Sequence, residues 1–155
     1  MTTTATAQPQ LGAVIDQLNG LLADATVFYQ KLRNYHWFVT GPQFFTLHTK
    51  FEELYDDWAE KIDEIAERIL AMNGRPLPTL AAVLEHAGLN EETGQPNAKQ
   101  MVQNLHEDMT TLADRFTQVR DAADEAGDTT TVNLLDDYID EMRKTLWMLR
   151  AWATQ

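Results

Sequence analysis

Apolar residues recur at intervals of three and four along most of the chain, and strand-like alternation is absent. Leu11, Val14, Ile15, Leu18, Leu21, Leu22, Ala25, Phe28, Tyr29 and Leu32 form one stripe, which predicts a first helix from about Leu11 to Trp37. Gly41-Pro42 ends the connection, and a second helix runs from about Pro42 to Met72, stopped by Asn73-Gly74. Arg75-Pro76-Leu77-Pro78 breaks the chain, after which Thr79 is placed to cap a short helix over Leu80 to His86. Gly88 to Pro96 is polar and turn-prone. Asn97 with Gln100 reads as a capping box for a third long helix, whose apolar face carries Met101, Leu105, Met109, Leu112, Phe116 and Val119. A fourth begins after Gly127, carries Val132, Leu135, Tyr138, Ile139, Met142, Leu146 and Leu149 in step, and ends near Trp152. The pattern predicts an all-α four-helix bundle with a short extra helix in the connector between helices two and three. Residues 1–10 carry no stripe and read as a flexible tail; residues 11–155 read as one domain.

The second helix has two characters. Leu47, Phe51, Leu54, Trp58, Ile62, Ile65 and Ile69 fall on one side, and Glu53, Asp56, Asp57, Glu60, Asp63, Glu64 and Glu67 on another. An acidic arc on a bundle helix is ordinarily its solvent side. Composition sharpens this reading. Asp and Glu total 24 against 12 Lys and Arg, a formal net charge of −12, so the surface repels phosphate backbones and attracts cations. The chain has no cysteine, which removes disulfides and thiolate metal sites. No apolar run is long enough to span a bilayer, and MTTTATAQPQ lacks the features of a secretory signal, which makes the cytoplasm the expected location.

Metal-capable side chains then stand out. His48/Glu52 and Asp63/Glu67 are each spaced i,i+4, so the members of each pair share a helix face. His48 and Asp63 are fifteen positions apart, roughly 22 Å along a helix rising about 1.5 Å per residue. Ligands of one centre converge within a few ångströms, so a site that uses both pairs needs two chains. His36 stands twelve positions before His48, across a turn that folds the two histidines towards each other. Imidazole and carboxylate donors together suit iron, manganese or zinc. Taken singly, each residue also fits a plain role: a histidine near a helix end caps or packs, and Asp63 and Glu67 serve as surface acids. His86 and His106 lack matching partners and receive no role.

Asn34-Tyr35-His36-Trp37, then Gly41-Pro42-Gln43-Phe44-Phe45-Thr46-Leu47-His48, then Asp63-Glu64-Ile65-Ala66-Glu67-Arg68 closely resemble the signature of the Dps mini-ferritins, the DNA-protection-during-starvation family. The likeness continues through Arg75-Pro76 and Thr79-Leu80 to Leu146-Trp147, sparing only the tail and the connector around Gly94. The resemblance implies a ferritin-like bundle assembled as a hollow homo-dodecamer, with dinuclear iron-oxidising centres at two-fold subunit interfaces. One subunit would supply His36, His48 and Glu52, and its partner Asp63 and Glu67. Glu52 stands where the family more often has Asp. No Glu-x-x-His occurs, unlike in ferritins that build the site inside one bundle. The resemblance further implies Fe(II) oxidised preferentially by hydrogen peroxide, ferric mineral stored in the cage, and protection against oxidative stress. Zinc or manganese would be substitutes at the same donors. Trp37 and Trp147 become electron donors to stray oxidant, although tryptophans at helical spacing are commonly core. Asp121, Asp124, Glu125 and Asp128 become an acidic entry pore, with Thr129 and Asn133 replacing acids seen in some relatives, unless they form a surface patch at a helix N-terminus. Glu53, Asp56 and Glu60 become mineral-nucleating acids. Family members that bind DNA often use a cationic tail. Here no cation precedes Lys31 and the chain ends Arg150-Ala151-Trp152-Ala153-Thr154-Gln155, so direct DNA binding is disfavoured. A metal-free helical assembly with a vestigial site is the third reading.

Overall fold

The computed structural model describes residues 4–154, with side chains from Gln10 onward. Five helices follow in order: α1 (Thr4–Phe38), α2 (Phe44–Ala71), α3 (Leu80–His86), α4 (Ala98–Glu125) and α5 (Thr129–Ala153). Short turns join α1 to α2 and α4 to α5, so each pair packs as a hairpin. The long crossover from α2 to α4 carries α3, which lies against α1. The described residues contain no strand.

Each boundary has a local cause. Asn73 adopts φ 63 after the end of α2, a left-handed conformation that asparagine tolerates, and Gly74 N–H returns to the Ile69 carbonyl at 2.9 Å. Gly74 is also sterically required: a Cβ there would meet Ile15 Cγ2 at 2.7 Å and Ile69 Cγ2 at 2.9 Å. Thr79 Oγ1 accepts from Ala82 N at 3.1 Å to start α3. Asn97 and Gln100 form both halves of the capping box at 2.9 Å each. Gly127 takes φ 74 in the turn before α5, and Asp128 accepts from Thr131 N at 3.2 Å as the cap of that helix.

The first helix starts earlier than its stripe predicts. Thr4–Gln10, assigned to the tail by pattern, are helical, whereas Met1–Thr3 lie outside the described residues. A stripe marks only the length of a helix that faces a core, so it is silent about a helical extension beyond one.

The core runs the length of the bundle, with an aromatic layer at its middle. Phe28 of α1 meets Trp58 of α2 edge-on at 5.0 Å, Trp58 meets Phe116 of α4 at 5.9 Å, and Phe116 meets Tyr138 of α5 at 6.3 Å. Lys61 is buried beside this layer. Its Nζ pairs with Asp57 at 2.5 Å and Glu141 at 2.7 Å and lies over the rings of Trp58 and Tyr138. The Tyr138 hydroxyl donates to Glu64, so part of the acidic arc is engaged by α5.

The crossover is pinned by α1. Buried Asp24 accepts from Gly88 N at 2.7 Å, from Leu89 N at 3.1 Å and from Arg115 Nη1 at 2.6 Å. Asn19 bonds both the Arg75 carbonyl and Leu77 N–H at 3.0 Å. Farther along α1, the Tyr35 hydroxyl donates to Glu92 at 2.5 Å.

Candidate metal centre

The turn at Gly41, with φ 103, reverses the chain between α1 and α2 and brings His36 beside His48. Their rings stack with centroids 3.7 Å apart and planes 14° from parallel. Each Nδ1 meets the other residue's carbonyl: His36 Nδ1 lies 2.6 Å from the His48 oxygen, and His48 Nδ1 lies 2.7 Å from the His36 oxygen. The two bonds have complementary causes. α1 ends at Phe38, so the His36 carbonyl is one of the terminal acceptors that the helix leaves unpaired. The His48 carbonyl, within α2, uses a second lone pair.

This arrangement fixes the tautomer. A carbonyl can only accept, so each Nδ1 carries a proton, and the neutral form of each ring has its lone pair on Nε2. Among the described residues no hydrogen bond engages either Nε2. An imidazole held by Nδ1–H to a carbonyl, with Nε2 free, is the usual preparation of a metal-ligating histidine. Phe44 stacks on His48 with centroids 4.9 Å apart, and the Tyr55 ring stands nearly perpendicular to His36 at 5.3 Å, so aromatic rings flank the pair.

Glu52 is exposed one turn beyond His48, and the Tyr55 hydroxyl donates to its Oε1 at 3.5 Å. Burial, then the neighbouring Glu52 and Asp56 carboxylates, push the Tyr55 phenol up, so it keeps its proton. Asp63 and Glu67 are both exposed on the same unbroken helix, and neither enters an ion pair among the described residues. α2 therefore holds the His48 and Asp63 ends roughly 22 Å apart. No three histidine or carboxylate side chains converge into a metal-holding group among the described residues. The two histidines are prepared as donors, but one chain does not complete a centre.

The other candidates are placed as follows. Trp37 and Trp147 are 52% and 58% exposed, so neither is core; Trp58 holds that role. Trp37 lies under the Arg33 guanidinium at 5.0 Å, while Trp147 shares no aromatic contact with either histidine among the described residues. Glu53, Asp56 and Glu60 are exposed along one face of α2, with Glu53 near Lys50 at 3.4 Å. Asp121, Asp124 and Glu125 do not stand at a helix N-terminus. They occupy the last turns of α4, where the helix dipole disfavours carboxylates, and Arg120 offsets Asp121 at 3.3 Å and Asp124 at 3.8 Å. Asp128 is buried as the α5 cap and pairs with Arg68 at 2.8 Å, so its charge is committed within the chain.

Sequence reasoning missed Tyr55. Its position three residues after Glu52, on the same helix face, was the available signal.

The matched ferritin-like domain family spans residues 15–155. The DNA protection during starvation protein of Brevibacillus brevis is 46% identical over 143 residues, covering 92% of this chain and 95% of its own. The chain belongs to the Dps family. A second relative, general stress protein 20U of Bacillus subtilis, is 46% identical over 139 residues, covering 90% of this chain and 96% of its own. Among solved Dps structures, that from Bacillus brevis superposes with TM-score 0.92 at 43% identity, covering 94% of this chain and 98% of that one. The Dps of Vibrio cholerae O1, described as a member of a broad superfamily of ferritin-like diiron-carboxylate proteins, superposes with TM-score 0.91 at 40% identity, covering 94% and 92%. These matches establish the ferritin-like fold. No helix among the described residues is long and apolar enough to cross a membrane.

Proposed function

We propose that this chain is an iron-storing mini-ferritin that oxidises Fe(II), preferentially with hydrogen peroxide, at dinuclear centres shared between two subunits. The observation that carries the reading is the mutual carbonyl clamp on His36 and His48, which leaves both Nε2 atoms without a hydrogen-bond partner among the described residues. Asp63 and Glu67, out of reach on the same rod, serve the partner's histidines. Fe(II) is the substrate. The Nε2 atoms bind it, and the carboxylates offset the charge gained on oxidation. One peroxide takes one electron from each of two Fe(II) ions and two protons, giving two Fe(III) and two waters. Both electrons leave together, so no hydroxyl radical is released.

The remaining acids follow the path of the ion. Asp121, Asp124 and Glu125 draw Fe(II) through a pore of a homo-dodecameric cage, without Asp128, whose carboxylate answers to Arg68. Glu53, Asp56 and Glu60 seed ferric mineral on the inner wall. Trp37 and Trp147 give electrons to stray oxidant. Zinc and manganese bind the same donors as substitutes. The protein acts in the cytoplasm, limiting oxidative stress.

Stopped-flow absorbance of ferric product, with anaerobic Fe(II) and peroxide, tests the centre. His36→Ala and Asp63→Ala are each expected to lose at least about 1.4 kcal/mol of transition-state stabilisation, a tenfold fall in rate. Rates equal to the parent in both variants would remove the assignment.

A further inference from the structure

We infer that Tyr55 is the first electron donor of this centre, and that Tyr29 and Arg33 connect it to Trp37 as one ladder across the α1–α2 interface. The inference rests on the iron-oxidising reading above and deepens it. Tyr55 is the aromatic residue in contact with both kinds of donor: its ring stands 85° to that of His36 with centroids 5.3 Å apart, and its hydroxyl lies 3.5 Å from Glu52 Oε1. Trp37 adjoins His36 in sequence, but successive helical residues diverge by about 100°, and no aromatic contact joins it to either histidine among the described residues. The ladder starts where Tyr29 meets Tyr55 edge-on at 5.9 Å. Arg33, one turn along α1 from each neighbour, then lies over the Tyr29 ring at 5.4 Å and the Trp37 ring at 5.0 Å. In the single chain Tyr29 is half-buried and Trp37 exposed, so the ladder leads outward from the metal donors.

The chemistry that needs it arises when peroxide meets a single Fe(II). One electron then leaves the metal, the O–O bond breaks, and hydroxide and a hydroxyl radical result beside Tyr55. The Tyr55 O–H bond breaks and its hydrogen atom passes to the radical, giving water and a Tyr55 phenoxyl radical. Tyr29 restores Tyr55 by giving up its own electron and phenolic proton. Trp37 restores Tyr29 by losing an electron, with its indole proton released to solvent and Tyr29 taking a proton back. The net change is one hydroxyl radical reduced to water and one neutral indole radical left at the surface.

Freeze-quenched electron paramagnetic resonance of the full-length assembled protein, loaded with one Fe(II) per His36/His48 pair and mixed with peroxide, reads the first step. Tyr55→Phe keeps the ring against His36 and Tyr29 and removes only the hydroxyl. The parent is expected to give a tyrosyl signal that Tyr55→Phe reduces at least fivefold, while hydroxyl adducts of a spin trap, normalised to iron oxidised, rise severalfold. Tyr29→Phe is expected to keep the tyrosyl signal but reduce the oxidation of Trp37 seen by peptide mass spectrometry. An unchanged tyrosyl signal and unchanged trap yield in Tyr55→Phe, with iron still oxidised, overturn the Tyr55 assignment alone. Absence of iron oxidation in the parent overturns the iron-oxidising reading itself, and this inference with it.

Discussion

Two inactive variants of this protein should restore one another when mixed. The perturbation is a pair of double substitutions: His36→Ala/His48→Ala removes the clamped imidazoles, and Asp63→Ala/Glu67→Ala removes the distal carboxylates. α2 is continuous between the two clusters, so no bending within one chain brings them together. On the proposed reading, each centre of a two-fold pair takes imidazoles from one chain and distal carboxylates from the other. Each variant alone therefore has only damaged centres. A mixed pair has one centre left with only Glu52 and one with every ligand intact. Random reassembly of equal amounts makes about half of the pairs mixed, each with one intact centre of two, so about one quarter of the parent's sites should return. Both variants would be dissociated together, returned to assembly conditions, and assayed for peroxide-driven ferric product by stopped flow, with the unmixed variants treated identically. Recovery near a quarter supports a shared centre. Assembled mixtures no more active than the unmixed variants would refute it, as would full activity in either variant alone.

Asp24→Ala leaves the Gly88 and Leu89 N–H groups and Arg115 without their shared acceptor, and should cost about 2–4 kcal/mol, read as a lower thermal midpoint at fixed protein concentration. A change under about 0.5 kcal/mol would show that the crossover holds without this clasp. The Tyr35 hydroxyl holds the Glu92 carboxyl below its usual range. Because the folded-state value is depressed, the stability it contributes is present above the ordinary glutamate value and is lost as pH falls through the lowered one. Hydrogen exchange at Gly94 N–H, which donates to Glu92 at 3.0 Å, should therefore accelerate in acid relative to other amides, and Glu92→Gln should flatten that dependence. With a net charge of −12 per chain, the protein should leave duplex DNA unretarded in a low-salt gel shift at neutral pH; a salt-sensitive shift would contradict the charge argument.

The helices were legible because apolar spacing and capping residues act locally. Thr79, Asn97 and the Asn73-Gly74 stop all perform the roles that their side chains and backbone preferences suggest. Burial of a charge was not legible. Lys61 sits in the acidic half of α2 by composition, yet it is buried, with its amine over the rings of Trp58 and Tyr138 and met by two acids. The acids at 121–128, read from sequence as one cluster, are divided by the end of α4. The helix continues to Glu125, which separates three acids on its last turns from the Asp128 cap. For the metal centre, residue types and spacing identified His36 and His48 as neighbours across a turn. What spacing cannot carry is ring orientation, which depends on a carbonyl left unpaired where α1 ends.

That reciprocal fastening has a consequence for repeated use. The Nδ1 atoms that hold the imidazoles in place are not the Nε2 atoms proposed to bind the ion, so the ring positions do not depend on an ion being there. If the proposed function holds, each new Fe(II) would meet a half-built socket, and a cycle of loading and discharge would proceed without the hairpin having to find its shape again.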